Sequence, residues 1–323
     1  MTAIVILGMH RSGTSAITRA LNLLGAEIGP QADLGQYWES QRMRGPLDAV
    51  LAAFDGHWDA PGVMPDGWEQ TPAVRAVEPS AREGLAAYGD PDVMVWKDPR
   101  LCLEMPFWRP LLGGDPVVVL IHRHPEEVWQ SLATRNRLGA GLSFALWERY
   151  NADALRDAAG LRTVVVSYSD LVERPVEVTA DLVATLATWG VHLPNDPATT
   201  DMELRADERH HRAATAFEHP SATPSQRALF TALASIEGVH DAFVPPDLAA
   251  PDPLSTELIA ARAEFRAMRR ERWLVEHRGL RILRSRKRVL DYLLRPYHEG
   301  DTRPDPFGPP PGRGPERQEP DLT

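Results

Sequence analysis

Over its first two-thirds the chain alternates short apolar runs with amphipathic stretches, the arrangement of a sheet covered by helices. Four runs read as strands: AIVILG at the start, then DVMVW, PVVVLIH and RTVVVSY. None of them alternates apolar with polar residues, so each is expected to be buried on both faces, as strands of a parallel sheet are. TSAITRALNLLGA, PEEVWQSLATRN, GLSFALWERYNADALRDAAG and PVEVTADLVATLATWG carry apolar positions at helical spacing, and Gly25 marks the end of the first. Between that helix and the second strand the pattern predicts a polar loop to about Gly45, a helix to about Phe54 and an irregular proline-rich passage.

The pattern changes past residue 250. Leu254, Leu258, Ala261, Phe265 and Met268 step by four and three, a helical stripe, and from Arg262 to Arg295 basic residues outnumber acidic ones. Gly279 interrupts this segment, and the final TRPDPFGPPPGRGPERQEPDLT has the composition of a disordered tail. The expected organisation is an α/β domain over 1–250, a basic amphipathic helical extension over 251–298 and a disordered tail over 299–323. Residues 254–295 can pack on the domain, pair with a partner helix or lie on an anionic membrane surface.

Composition narrows the function. A net charge of −10 over 323 residues argues against a general nucleic-acid binder, which needs a basic footprint. The one cysteine, Cys102, rules out an internal disulfide framework, fits a reducing compartment and reads as a small buried side chain. No window reaches the ~20 apolar residues of a membrane span. MTAIVILG has neither basic flank nor cleavage site, so it reads as a first strand, and the default expectation is a cytoplasmic protein, at most peripheral to a membrane.

The chemistry begins in ILGMHRSGTSAIT. Gly8, then four residues, then Gly13, Thr14 and Ser15 have the glycine spacing of an NTPase phosphate loop, between a strand and a helix as that motif requires. Backbone N–H groups of such a loop and of the following helix converge on an anion. The expected fold is therefore a P-loop NTPase-like parallel sheet flanked by helices. Thr14 stands where a triphosphatase has its lysine, and Arg11 precedes the second glycine by two residues. A Mg-triphosphate is poorly served by this loop.

A second anion site is legible in VVVLIHRHPEEVWQSLATR. Arg123 ends a strand, Pro125 opens a helix, and Ser131 and Arg135, four apart, share a face of it. A guanidinium supplies paired, charge-assisted hydrogen bonds to such an anion. No Cys/His cluster has metal-ligand spacing, so no metal is expected.

HRSGTS resembles the loop of the sulfotransferases, which use 3′-phosphoadenosine-5′-phosphosulfate (PAPS), and the Arg123/Ser131 separation resembles that family's second signature. The resemblance covers residues 1 to about 190. It implies that Arg11, Ser12, Gly13, Thr14 and Ser15 hold the 5′-phosphosulfate, and that Arg123 and Ser131 hold the 3′-phosphate. Arg135 matches a phosphate-contacting arginine of the tyrosylprotein branch, and VVVSYSDLVERP resembles a segment whose tyrosine, here Tyr168, lies near the adenine. The implied activity is sulfuryl transfer from PAPS, without a metal, to a hydroxyl or amine of a small metabolite, glycan or lipid.

For the chemistry itself, Glu39 in GQYWES resembles the catalytic glutamate of that branch and ranks first as base. His57 in GHWDAP ranks second, and His10, crowded by the loop's own ligand, third. Lys97 in VWKDPR matches a lysine that contacts the transferring group, and is one of two lysines among 35 basic residues. Asp98 reads as a partner of Arg100 rather than a proton carrier. Glu208 to Arg212, ERHHR, can cap the nucleotide or be a solvated charge run. Two rival readings stay open: a P-loop kinase or hydrolase with Ser15 on Mg²⁺ and Asp98 as its acidic partner, and an inactive scaffold carrying a membrane- or partner-binding helix. The acceptor and the oligomeric state are not encoded in these motifs.

Overall fold

The computed structural model describes residues 2–30, 33–35, 37–200 and 216–269. The ERHHR segment, the basic run beyond Arg269 and the proline-rich tail lie outside the described residues. The chain divides into two compact units, Met1–Glu264 and Phe265–Thr323, and of the second only 265–269, all helical, are described.

The first unit is α/β. Its sheet holds β1 (Thr2–Leu7), β2 (Val93–Lys97), β3 (Val117–His122), β4 (Thr163–Ser167) and β5 (Gly238–His240) in the order β2-β1-β3-β4-β5. The first four are parallel and β5 pairs antiparallel with β4. Parallel strands need long crossovers, and the helices supply them: α1 (Thr14–Leu23), α2 (Gln41–Ala52), α3 (Pro72–Arg75), α4 (Glu78–Ala86), α5 (Leu101–Leu111), α6 (Pro125–Asn136), α7 (Ala140–Asp157), α8 (Tyr168–Glu173), α9 (Pro175–Thr188) and α10 (Pro224–Ser235). A further helix begins at 253.

The unbroken apolar runs are explained by two cores, one on each face of the sheet. Val5, Leu7, Trp96, Val118 and Leu120 point into a core with Leu47, Leu103 and Trp147. Their neighbours Ile4, Ile6, Val95, Val119 and Ile121 point the other way, onto Ile17, Leu21, Leu182 and Leu186. Alternate side chains leave a strand on opposite faces, so a strand covered twice cannot spare a polar position. Ends are another matter: Lys97, His122 and Arg123 sit where β2 and β3 stop.

Several expectations need correction. The helix expected from Gly45 starts at Gln41, because the Ser40 side chain accepts from Met43 N and caps it; Gly45 and Pro46 read as breakers but lie inside it. The passage expected to be irregular contains α3 and α4, each opened by a proline in its first turn. Helix α5 was hidden by Pro106 and Pro110. The helix from 253 buries a different face from the stripe: Ser255 is buried and Ile259 packs on the core, while Leu254 and Ala261 are exposed. Among the described residues no helix is long and apolar enough to cross a membrane.

The chain runs from β1 outward to β2, then back across β1 to β3. In open α/β sheets the reversal of strand order opens a crevice at the carboxyl ends of the two strands on either side. Here those strands are β1 and β3, and both candidate anion motifs follow them directly.

Candidate functional site

A cleft of about 660 Å³ opens at that edge, lined among others by Arg11, Gly13, Ser15, Glu39, His57 and Arg123. Its floor is the turn between β1 and α1. Gly13 has φ 92°, and a Cβ there would overlap the ring of Tyr168, so glycine is required twice over. Arg11 has φ 70°, a left-handed conformation that costs a non-glycine residue of order 1–3 kcal/mol. Beneath the turn the Gly8 N–H donates to Cys102 Sγ at 3.1 Å, and Cys102 is fully buried, as expected. Helix α1 receives no side-chain cap, and in its first turn the Ala16 N–H donates to the Gly13 carbonyl at 3.0 Å. Ser12 is fully buried and its Oγ has no protein partner.

The second motif meets the first. Arg11 Nε donates to Ser131 Oγ at 2.7 Å, and Arg123 Nη1 donates to the Arg11 carbonyl at 3.2 Å. The Arg123 guanidinium lies 4.3 Å over the Tyr168 ring and that of Arg135 lies 3.9 Å over Tyr37. Burial first, and then the neighbouring Arg135, hold the Arg11 pKa below the ordinary arginine value, with Arg123 pushing the same way. Two motifs read as separate anion cradles thus share one cationic corner. Arg123 is not idle in it, for its Nε donates to Glu127 at 2.7 Å.

Along the β2 side, Lys97 is almost completely buried. Its Nζ donates to Glu39 Oε1 at 3.1 Å, to the Tyr37 carbonyl, and at 3.5 Å to Ser15 Oγ. Burial lowers the Lys97 pKa and the Glu39 and Asp98 carboxylates oppose the shift. Thr14 is buried at the start of α1, where its carbonyl accepts from Thr18 Oγ1 at 2.7 Å. Asp98 holds Arg100 through both oxygens, at 2.8 and 2.7 Å, the pairing the sequence suggested. Arg100 also reaches Asp48 from α2. Among the described residues no group of three or more His, Cys, Asp or Glu side chains could hold a metal ion.

The two histidines part company. His10 packs against Trp58 and Tyr150, with ring centroids 4.7 and 5.5 Å away. Its Nε2 is sealed from solvent, and burial pushes its pKa down to about 3, so at neutral pH it is an uncharged packing ring. Both line the cleft, but His57 has a polar partner, with Nδ1 2.6 Å from Asp59 Oδ1. Sequence reading missed Asp59, Arg262 and Glu127, because their importance lies in partners far along the chain or on a face invisible to pattern. No family model matches the chain, and a search of curated proteins found no match.

Proposed function

We propose that the protein is a sulfotransferase that moves a sulfuryl group from PAPS to a hydroxyl or amine, binding the nucleotide in a P-loop NTPase-like cradle between β1 and β3. The observation that carries this reading is the gathering of the Arg11, Arg123 and Arg135 guanidiniums along the cleft beside the uncapped N-terminus of α1. Neighbouring guanidiniums repel one another, so an anion lying among the three is favoured. A nucleotide phosphorylated at both 3′ and 5′ offers two such anions a ribose apart.

In this reading Ser12, Gly13, Thr14 and Ser15 hold the 5′-phosphosulfate, and Arg123, Ser131 and Arg135 the 3′-phosphate. Tyr168 backs both Gly13 and Arg123. As the S–O bond to the 5′-phosphate breaks, negative charge grows on the leaving oxygen. Arg11 and Lys97 are the cations at hand to neutralise it. Glu39 keeps the Lys97 ammonium paired at 3.1 Å, at the same cleft wall as Ser15.

The kinase or hydrolase alternative is disfavoured by Asp98. Its two oxygens are taken by Arg100, which leaves no carboxylate at the end of β2 to steer Mg²⁺. Isothermal titration without Mg²⁺ separates the two. Adenosine 3′,5′-bisphosphate is expected to bind with Kd on the order of micromolar, and binding that appears only for ATP with Mg²⁺ overturns the proposal.

A further inference from the structure

The loop from Asp55 to Gly62 forms cleft wall that nucleotide binding does not use. It is tightly built. His57 and Ala60 exchange both backbone hydrogen bonds at 3.0 Å, and Tyr150 Oη donates to the Trp58 carbonyl at 2.7 Å. The Asp59 side chain is 2 % exposed, against 33 % for His57. One Asp59 oxygen meets His57 Nδ1 at 2.6 Å and the other accepts from Arg262 Nε at 2.9 Å. Arg262 belongs to the helix that begins at 253, more than 200 residues away in sequence.

The order of these contacts fixes a proton. Asp59 is paired with a guanidinium that is always charged, so it is ionised and can only accept. The hydrogen in the short bond therefore belongs to His57 Nδ1, so in the neutral ring the lone pair is on Nε2. With Nδ1 turned to Asp59, Nε2 is the ring nitrogen left for the cleft that His57 lines together with Glu39 and Ser15. A proton acceptor needs a free lone pair, a fixed direction and a neighbour to stabilise it once charged. His57 has all three. Glu39, ranked ahead of it on resemblance, is held by Lys97, a group the donor itself must engage.

We infer that His57 is the catalytic base of this cleft, and that Asp59 and Arg262 are positioning residues that fix its tautomer. The inference rests on the sulfuryl-transfer reading. The acceptor oxygen forms a bond to sulfur as the bond from sulfur to the 5′-phosphate oxygen breaks. The acceptor's proton passes to His57 Nε2, and adenosine 3′,5′-bisphosphate leaves with the bonding pair. Arg262 thereby gives the last helix of the first unit a chemical task besides packing.

The first test needs no substrate. Long-range ¹H–¹⁵N spectra of the full chain, with the His57 signals assigned through His57→Asn, are expected to show the Nδ1–H tautomer. Asp59→Asn should abolish that preference, and Arg262→Met should weaken it while Arg262→Lys restores part. A wild-type Nε2–H tautomer overturns the inference. The second test follows release of radiolabelled sulfate from PAPS with water as acceptor. His57→Ala should fall by about 10²-fold or more and recover with added imidazole, and His57→Asn should lose more than Glu39→Gln. The reverse ranking without imidazole rescue moves the base to Glu39 and leaves the sulfotransferase reading standing. Absent binding of adenosine 3′,5′-bisphosphate sinks that reading, whatever tautomer is seen.

Discussion

The turn after β1 and the turn after β3 leave neighbouring strands at the same edge of the sheet, yet under the proposed function they would meet an anion differently. The first carries Gly13 and Arg11 at positive φ, opens a helix with no side-chain cap and buries a hydroxyl without a partner. The second also buries an unpartnered atom, His124 Nε2, but meets its other groups from within: the His124 side chain accepts from Glu126 N at 3.3 Å, Glu126 and Glu127 fill the first turn of α6, and Glu127 holds Arg123. A turn held open by left-handed backbone, with no side chain capping its helix, has less to give up when a ligand arrives. A turn whose arginine already has a carboxylate must exchange one partner for another, and the ligand gains only the difference.

The most severe way to break this contrast is Gly13→Ala. The new Cβ overlaps the Tyr168 ring at a φ that L-residues avoid, so the first turn must move. Titration with adenosine 3′,5′-bisphosphate is expected to show at least about 100-fold weaker binding, since several charge-assisted bonds are misaligned together. Near-normal affinity would show that the turn is not the anion site.

Arg123→Ala tests the second turn and should cost less. One charge-assisted contact is worth ~1.5–3 kcal/mol, so affinity is expected to fall roughly 10- to 100-fold, with turnover at saturating donor little changed. Glu127→Gln sharpens the point from the other side. If Glu127 competes with the 3′-phosphate for Arg123, removing its charge should tighten nucleotide binding several-fold. Weaker binding in Glu127→Gln would mean that the carboxylate orients Arg123 rather than competing for it.

The same contrast decides what could be read from the sequence. The first turn was legible because its job is done by spacing: glycine where backbone must approach, between a buried strand and a helix. Strand identities were legible for a related reason, since a strand covered on both faces shows as an unbroken apolar run. Glu127 was invisible because an acid in a helix first turn is ordinary by pattern, and only its 2.7 Å contact with Arg123 gives it meaning. Asp59 and Arg262 were hidden by distance along the chain. Helix α2 was expected but started too late, and α5 was missed because its prolines read as breakers, whereas caps and tertiary packing outweigh a lost hydrogen bond there.

A histidine sits in each turn, and both are held neutral. Burial pushes His10 down to about 3 and also lowers His124, whose Nδ1 accepts at a helix N-terminus. A depressed folded-state pKa means that the unfolded chain binds the proton first. Stability contributed by His10 is therefore complete above the ordinary histidine value of 6.5 and is lost as pH falls toward about 3. Urea denaturation between pH 7 and 4 should show a loss of up to ~1.4 kcal/mol per pH unit from this group. His10→Asn should flatten that slope more than His124→Asn, because Arg100, Lys97 and Arg135 add to the effect of burial at His10, whereas Glu126 and Glu127 oppose it at His124. Equal slopes would make the two turns alike in this respect.

The smallest effect lies beneath the turns. Cys102 Sγ accepts the Gly8 N–H at 3.1 Å under the first, and Trp147 Nε1 donates to the Arg123 carbonyl at 3.2 Å under the second. Thiol sulfur is a weak acceptor, but a buried N–H has only one hydrogen to satisfy, whereas a carbonyl keeps a second lone pair. Cys102→Ala should therefore cost ~1–2 kcal/mol by leaving that N–H unpaired, and Cys102→Ser should recover part of it through a better acceptor on a shorter bond. Nucleotide affinity should change by less than about threefold in both, because the Gly8 N–H points into the protein and not at the ligand. A large loss of affinity in Cys102→Ala with stability intact would mean that the sulfur sets the shape of the anion turn, and the first turn would then owe its preorganisation to α5 as much as to its glycines.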